Sequence, residues 1–184
     1  MKIFVAITGA SGSIYGRRLV ERLCRQEEVE LVWVCFTSNG GRVFAMEQPG
    51  VDLSSLPKVD ILERDDMFVP PASGSASVDA VVVVPCSTGM MSRIACGVSD
   101  GLISRAADVM LKERRKLILL VRETPLNLIH LRNMETLASA GATVMPASPS
   151  FYTCPASVEE LVDTVTDRIM AQLGFASGKG WQER

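Results

Sequence analysis

A glycine-rich segment near the amino terminus carries the residue types of a phosphate-binding turn. Residues 8–16 read Thr-Gly-Ala-Ser-Gly-Ser-Ile-Tyr-Gly and follow an apolar run at residues 2–7. Small residues let a phosphate group approach the main chain, while the unpaired amides and the dipole of a following helix point at it. The same glycines also suit a plain tight bend, so the segment alone leaves both interpretations open.

The glycine spacing favours a mononucleotide over a dinucleotide ligand. Gly9, Gly12 and Gly16 do not form the G-x-G-x-x-G pattern of dinucleotide sites. The second apolar run ends in Cys-Phe-Thr-Ser at residues 35–38, without the acidic residue that would hold a dinucleotide ribose. We therefore expect a mononucleotide rather than NAD.

A second small, hydroxyl-rich turn follows another buried run. Residues 84–89 read Val-Pro-Cys-Ser-Thr-Gly. In open α/β sheets, ligands bind beyond the carboxyl ends of the strands, so two such turns can shape one pocket. An ordinary turn in which Ser87 caps a helix explains the same residues equally well.

Charged residues come directly after the run at residues 116–121. Arg122 and Glu123 stand where active-site residues are often found in this fold class, although a surface ion pair is an equal alternative. Pro125 suits the first turn of a helix, with Thr124 as its cap.

The stretch at residues 100–116 is predicted to be one helix with a charged face. Arg105 and Lys112 are seven residues apart and share that face with Asp108, which suits an ion-pair network or an anion site. We interpret the basic residues at the end of this helix, including Arg115, as a solvated surface.

Histidine and cysteine usage argues against metal chemistry. His130 is the single histidine, and the five cysteines form no C-x-x-C pair. Acid–base chemistry therefore depends on carboxylates and cations, and His130, flanked by apolar residues, is expected to be structural.

The elements that must position these residues are those of an α/β fold. Continuous apolar runs, as expected of strands buried on both faces, alternate with helical stretches. The predicted strands span residues 2–7, 29–36, 79–84, 116–121 and 142–145. Residues 48–77 are the least regular region.

Three helices are predicted from spacing and caps. The first follows the first strand and has an apolar face of Ile14, Leu19, Val20 and Leu23. Ser157 and Glu160 form a capping box before the last helix, and Gly174 suits its end. Leu128 and Leu131 belong to the predicted apolar face of an earlier helix.

Bulk properties narrow the classes of function. The 184 residues favour one domain, which we place at residues 1–174, followed by a tail at residues 175–184. With 19 basic and 21 acidic residues, the chain has no general attraction to nucleic acid or anionic membrane. No apolar run is long enough to cross a bilayer. The apolar stretch near the first residue is too short for a signal peptide. We expect a cytoplasmic protein.

Together these motifs resemble the flavin prenyltransferase family, historically described as aromatic acid decarboxylases. The resemblance covers nearly the whole chain, through residues 8–12, 15–16, 70–75, 85–89, 105–108, 111–114, 122–126, 130–131 and 149–152. It implies a flavodoxin-like (Rossmann-like) three-layer fold with a parallel sheet flanked by helices. The family relationship also implies a homo-oligomer, with a dodecamer as the expected form and its sites at subunit interfaces.

The resemblance further implies a reaction. A dimethylallyl group from dimethylallyl phosphate joins N5 of reduced flavin mononucleotide (FMN), phosphate leaves, and a fourth ring closes. Prenylated FMN then serves a UbiD-type decarboxylase. Neither metal nor NAD is implied.

The resemblance assigns residue roles by motif position. The implied flavin contacts are Gly9, Ala10, Ser11, Thr37, Ser87, Thr88, Gly89, Met90 and Arg122. The implied prenyl-phosphate contacts are Lys112, Arg122, Tyr152 and Arg168, with Trp181 closing over the prenyl group. Proton transfer is assigned to Glu123, assisted by Glu47 and Ser11, while Arg105 holds the carboxylates in place.

Two other functions stay open on the sequence. A flavin-dependent decarboxylase of a cysteine-derived carboxylate shares the fold, but such enzymes depend on a histidine near the first helix, where this chain has none. A non-catalytic flavin carrier needs the flavin turns but not the convergent Lys112, Arg122 and Glu123.

Overall fold

A single six-stranded parallel sheet forms the centre of the protein. The computed structural model describes residues 1–176. The strands are β1 (Lys2–Ile7), β2 (Leu31–Phe36), β3 (Val59–Leu62), β4 (Ala80–Cys86), β5 (Lys116–Val121) and β6 (Thr143–Pro146). They lie in the order β3-β2-β1-β4-β5-β6, and every neighbouring pair is parallel. The α/β prediction is confirmed.

The five predicted strands adopt the flavodoxin order, and the one strand that was not predicted, β3, pairs with β2 at the edge of the sheet. Without β3, the order β2-β1-β4-β5-β6 is that of flavodoxin-like sheets. The sequence missed β3 because an edge strand need not be continuously apolar, and here Asp60 and Ile61 are exposed.

Six α-helices pack around the sheet within residues 1–176. They are α1 (Ser13–Cys24), α2 (Ser38–Glu47), α3 (Thr88–Ala95), α4 (Leu102–Lys112), α5 (Leu128–Ser139) and α6 (Val158–Leu173). None of them is long and apolar enough to cross a membrane. The sequence did not indicate α2, because its first turns contain Gly40 and Gly41, which are poor helix formers. Gly40 is buried where a Cβ atom would collide with the carbonyl oxygen of Ile7.

Helices cover both faces of the sheet, which gives the three-layer architecture. On β1, Ile3 and Val5 point toward the side of α1, α2 and α6, whereas Phe4 and Ala6 point toward α3, α4 and α5. All four side chains are fully buried. This two-sided burial explains why β1 is a continuous apolar run.

A row of ion pairs joins α1 to α6. The pairs are Arg17 with Glu159, Arg18 with Asp163, and Arg22 with Asp167. Burial alone would raise the pKa of Asp163, but the hydrogen bond and charge of Arg18 outweigh burial and lower it. The first and last helices are therefore held in register along their length.

Two predicted helix boundaries are wrong. The helix predicted over residues 100–116 is α4, which ends at Lys112, because Arg114 adopts a positive φ of 54° and Lys116 already begins β5. Thr124 and Pro125 do not start a helix. The bond between them is cis, and α5 begins later, capped by Asn127.

The predicted apolar face of α5 is mostly not buried. Leu128 is 60% exposed and Leu131 is 48% exposed, whereas Leu137 is buried. His130 lies in the first turn, where its ring nitrogen accepts from the Asn127 amide and its own amide donates to the Asn127 side chain. The expectation that His130 is structural agrees with this capping role.

The last helix has the predicted cap and end. The Ser157 hydroxyl accepts from the Glu160 amide at 3.1 Å, and Gly174 adopts a left-handed φ of 100°. The Glu160 carboxylate closes the cap on the amide of Ala156 instead of that of Ser157. Phe175, just beyond Gly174, is buried against the α1 and α6 side of the core.

Candidate functional site

One buried threonine joins the two hydroxyl-rich turns. The Thr8 hydroxyl donates to the Pro85 carbonyl at 2.7 Å and accepts from the Ser87 amide at 2.8 Å. Thr8 is fully buried. The turns after β1 and β4 are therefore fixed side by side at the carboxyl edge, where the direction of strand succession reverses and α/β ligands bind.

A cavity of about 450 Å³ opens at this edge. Its volume suits a mononucleotide-sized ligand. Five of the predicted flavin residues line it, namely Gly9, Thr37, Ser87, Gly89 and Met90. A Cβ atom on Gly89 would meet no atom within 4 Å, so this glycine leaves open space on the cavity side.

Helix caps and cavity lining coincide in two of these residues. The Thr37 hydroxyl accepts from the Gly40 amide at 2.9 Å, and the Ser87 hydroxyl accepts from the Met90 amide at 3.3 Å. Both alternatives raised by the sequence therefore hold for Ser87. The starts of α2 and α3 point toward the cavity, which favours an anionic group such as the phosphate of FMN.

Glu47 caps α1 from the end of α2. Its carboxylate accepts from the amides of Gly12 at 2.9 Å and Ser13 at 2.7 Å. Burial alone would raise the pKa of Glu47, but hydrogen bonds from the Ser11 hydroxyl and from these amides outweigh it and lower the pKa. Glu47 is therefore anionic at neutral pH, next to the predicted flavin turn.

Arg122 and Glu123 lie beside the same two turns. The Arg122 Nε atom donates to the Ser11 carbonyl at 2.9 Å. The Thr88 hydroxyl lies 3.5 Å from the Glu123 carboxylate, which also accepts from the Thr124 amide at 3.0 Å. A cation, an exposed carboxylate and two hydroxyl residues thus converge next to the cavity. Ala10, between Gly9 and Ser11, is buried.

Arg105 has other partners than the ones expected. Its guanidinium pairs with Asp108 at 2.8 Å and donates to the Ala72 carbonyl at 3.1 Å. Within the part of one chain that the structure describes, it contacts neither Glu47 nor Glu123.

Two predicted phosphate contacts lie away from this cluster in one chain. Leu102, the first residue of α4, lines the cavity, so Lys112 at the other end is about 15 Å further along the helix. Arg168 follows Asp167, which pairs with Arg22 in the last turn of α1, far from the carboxyl edge. Tyr152 is exposed in the loop after β6 at the carboxyl edge, and Trp181 lies outside the described residues.

The thiol next to Ser87 belongs to the buried Cys86. Burial raises the pKa of Cys86 to about 12, so this thiol beside Ser87 is not a nucleophile at neutral pH. Within residues 1–176, no three His, Cys, Asp or Glu side chains cluster closely enough to hold a metal ion.

Sequence reasoning missed the contacts that Thr8 and Arg115 make. Thr8 belongs to the first motif, but only the fold shows its hydroxyl bridging two turns. Arg115, assigned to a solvated surface, instead binds two backbone carbonyls of the loop at residues 70–76. The only indication in the sequence was that Arg115 lies three residues after Lys112, a predicted phosphate contact.

Comparison with known proteins assigns the family. The profile of the Flavoprotein family matches residues 1–170. The chain is 48% identical over 177 residues to the flavin prenyltransferase UbiX of Methanocaldococcus jannaschii, covering 95% of this chain and 94% of that protein. The chain belongs to the flavin prenyltransferase family. Another member, UbiX of Pseudomonas aeruginosa, is 42% identical over 190 residues, covering 95% of this chain and 90% of its own.

Solved structures of flavin prenyltransferase relatives have the same fold over nearly the whole chain. AnUbiX (PadA1), in complex with FMN and dimethylallyl pyrophosphate, matches with a TM-score of 0.89 and 37% identity over 98% of both chains. A dodecameric FMN-dependent UbiX-like decarboxylase from Escherichia coli O157:H7 matches with a TM-score of 0.93 and 35% identity, over 99% of this chain and 100% of its own. The cysteine decarboxylase TvaF, at 20% identity and a TM-score of 0.60 over 78% of this chain and 88% of its own, shares the fold alone.

Proposed function

We propose that this protein is a flavin prenyltransferase that transfers a dimethylallyl group from dimethylallyl phosphate to reduced FMN. The observation that carries the proposal is the convergence of Arg122 and Glu123 on the turns that line the cavity. In the reaction, N5 of the flavin bonds to the allylic carbon, and the electrons of the broken carbon–oxygen bond leave with phosphate. N5 loses its proton as this bond forms. A proton then adds to the prenyl double bond, the resulting electron-deficient carbon bonds to the nearby aromatic carbon, and loss of that aromatic carbon's proton gives prenylated FMN.

The cavity supports FMN as the flavin. Its volume of about 450 Å³, the small side chains at Gly9 and Gly89, and the two helix starts suit a flavin with a phosphate group. The structural relative bound to FMN supports the same choice. The cationic side chains assigned to the prenyl phosphate, Lys112, Arg122 and Arg168, stabilise the departing phosphate electrostatically and form no covalent bond with it.

The two carboxylates near the cavity take different roles: Glu123 transfers protons and Glu47 assists by orienting the turn. Glu123 is exposed and held by the Thr124 amide, so it can exchange protons with the flavin or the leaving phosphate. Glu47 stays anionic and holds Ser11 and the start of α1, which orients the flavin turn.

Other copies of the chain complete the phosphate site. Lys112 and Arg168 are distant from Arg122 within one chain, so they reach a prenyl phosphate only in the site of another copy, as does Arg105 if it orients a carboxylate. Exposed apolar residues on the surface support self-association, among them Phe68, Leu128, Ile129, Leu131 and Phe151. A dodecamer, the form of the Escherichia coli relative, is the expected assembly.

The remaining features of the proposal concern the chain and its setting. Residues 1–174 act as one flavin-binding domain, and Trp181, assigned to the prenyl group by the resemblance, lies outside the described residues. Five free cysteines suit the reducing cytoplasm. Because the product is itself a cofactor, a second enzyme must receive it, and a UbiD-type decarboxylase is the proposed recipient.

Mass spectrometry of the flavin tests the function. The protein is incubated anaerobically with reduced FMN and dimethylallyl phosphate, and in parallel with dimethylallyl pyrophosphate. We expect the flavin to gain one five-carbon prenyl unit, with the phosphate as the better donor. No gain from either donor, while FMN stays bound, would leave the fold intact and contradict the transferase assignment.

A further inference from the structure

Arg115 binds the main chain of the loop at residues 70–76. Its Nη1 atom donates to the Ala76 carbonyl at 2.7 Å, and Nη2 donates to the Gly74 carbonyl at 2.8 Å. A planar guanidinium presents two donors in a fixed geometry, which a lysine ammonium does not. Arg115 therefore fixes both the position and the direction of this backbone. Its neighbour Arg114 is exposed, and its side chain makes no such bond.

The backbone that Arg115 holds lies directly against Lys112. A Cβ atom on Gly74 would be 2.5 Å from the Lys112 Nζ atom and 2.5 Å from a Glu113 carboxylate oxygen. Lys112 and Glu113 form an ion pair at this place. With a glycine at residue 74, the Lys112–Glu113 pair can lie directly against the loop, which forms one wall of the observed Lys112 position.

The same loop is attached to α4 at its other end. Arg105 donates to the Ala72 carbonyl at 3.1 Å. Between these attachments, the Ser73 and Ser75 hydroxyls are exposed and 3.0 Å apart. Arg105 and Arg115 thus bind three backbone carbonyls of the loop. The Ser73 and Ser75 hydroxyls and the Lys112 ammonium are exposed on its outer surface.

We propose that Arg115 is a positioning residue of the prenyl-phosphate site, because it fixes the Gly74 backbone that sets where the Lys112 ammonium stands. This inference rests on the proposed function, in which Lys112 binds the phosphate of the prenyl donor. A free lysine side chain has many rotamers, and fixing it in advance lowers the entropic cost of binding a phosphate. Arg115 itself does not touch the substrate.

The test compares Arg115→Gln with Arg114→Gln. Both variants lose one positive charge at adjacent positions, but only the first loses the two carbonyl bonds. We expect Arg115→Gln to raise the KM for dimethylallyl phosphate about tenfold, with FMN affinity unchanged and kcat much less affected. Arg114→Gln should match the wild type. Arg115→Lys keeps the charge but loses the planar pair of donors. Its KM for dimethylallyl phosphate should therefore be closer to that of Arg115→Gln than to that of the wild type.

Gly74→Ala provides an independent variant. Its methyl group requires the Lys112–Glu113 pair to shift while Arg115 keeps its bonds, so the KM for dimethylallyl phosphate should again rise with FMN affinity unchanged. Equal KM values for Arg115→Gln and Arg114→Gln in an active protein would overturn the inference. So would a loss of FMN affinity and thermal stability without any change in KM. A wild-type protein that forms no prenylated flavin would overturn the proposed function instead.

Discussion

The carboxylate of Glu47, the last residue of α2, lies 2.7 Å from the backbone nitrogen of Ser13, which is 34 residues earlier in the chain. Gly12, the N-cap residue of α1, has no side chain that could fill this position. A carboxylate from a different helix therefore caps α1 and favourably meets its dipole.

Replacing Glu47 by Gln should show how much this charge contributes to stability. The amide can still accept a hydrogen bond, so at pH 7 we expect the free energy of unfolding to fall by about 0.5–1 kcal/mol. The native pKa is lowered, so the difference from wild type persists above the unfolded pKa of about 4.3 and fades as pH falls through the native value. Urea unfolding at several pH values measures this. A difference that does not shrink as pH falls, or an equal one in the exposed control Glu27→Gln, would contradict it.

Thr8→Val should destabilise the protein although the side chain keeps its shape. The substitution leaves the buried Ser87 amide without its partner, and the Pro85 carbonyl keeps only the backbone amide of residue 8 at 3.3 Å. We expect a loss of about 1–3 kcal/mol in the free energy of unfolding. Thr136→Val, which removes an exposed hydroxyl bonded to the Arg132 carbonyl, should cost much less. Equal losses in chemical denaturation would show that the bridge between the turns is unimportant.

Two glycine substitutions should separate stability from flavin binding. Ala at Gly16 places a Cβ atom 2.8 Å from the Val84 carbonyl, so Gly16→Ala should lower the free energy of unfolding by about 1–3 kcal/mol.

Gly89→Ala meets no protein atom and should keep stability, but its methyl group enters the cavity and should weaken FMN binding about tenfold. Thermal melting and flavin fluorescence titration measure the two effects. Unchanged FMN affinity in Gly89→Ala would place the flavin elsewhere.

Glu123→Gln should slow prenyl transfer without loss of the flavin. Removing a proton-transfer group typically costs 10²–10⁴-fold in rate, and we expect a fall in kcat of about that size with FMN affinity unchanged. Single-turnover assays under anaerobic conditions measure the rate, and Glu135→Gln on the exposed surface of α5 is the matched control. Full activity of Glu123→Gln would assign the proton transfer to another group.

The sequence predicts those parts of the fold that a local pattern determines. Strand β1 is recognisable because both of its faces are buried, and α6 because Ser157 and Gly174 mark its ends. β3 and α2 escape such patterns, since one is an exposed edge strand and the other begins with glycines. The predicted start of α5 failed because Asn127, not Thr124, provides its cap.

The candidate site follows the same division. Residues such as Gly9, Ser87 and Arg122 are predictable because each directly follows a strand, and parallel strands bring their carboxyl ends to one edge. Thr8 and Arg115 act through contacts between distant segments, which no local pattern records. The site that Lys112 reaches depends on which end of α4 lies at the carboxyl edge of the sheet and on how other copies of the chain pack against it.

The ion pairs between α1 and α6 have a consequence for biosynthesis. Arg17 and its partner Glu159 are 142 residues apart, so α1 emerges from the ribosome long before the helix that it pairs with. Domains generally fold as units during synthesis. Until α6 is made, the apolar residues of α1 and the adjoining face of the sheet lack part of their cover and are open to chaperones. The α1 side of the core therefore cannot be completed before α6 has been made.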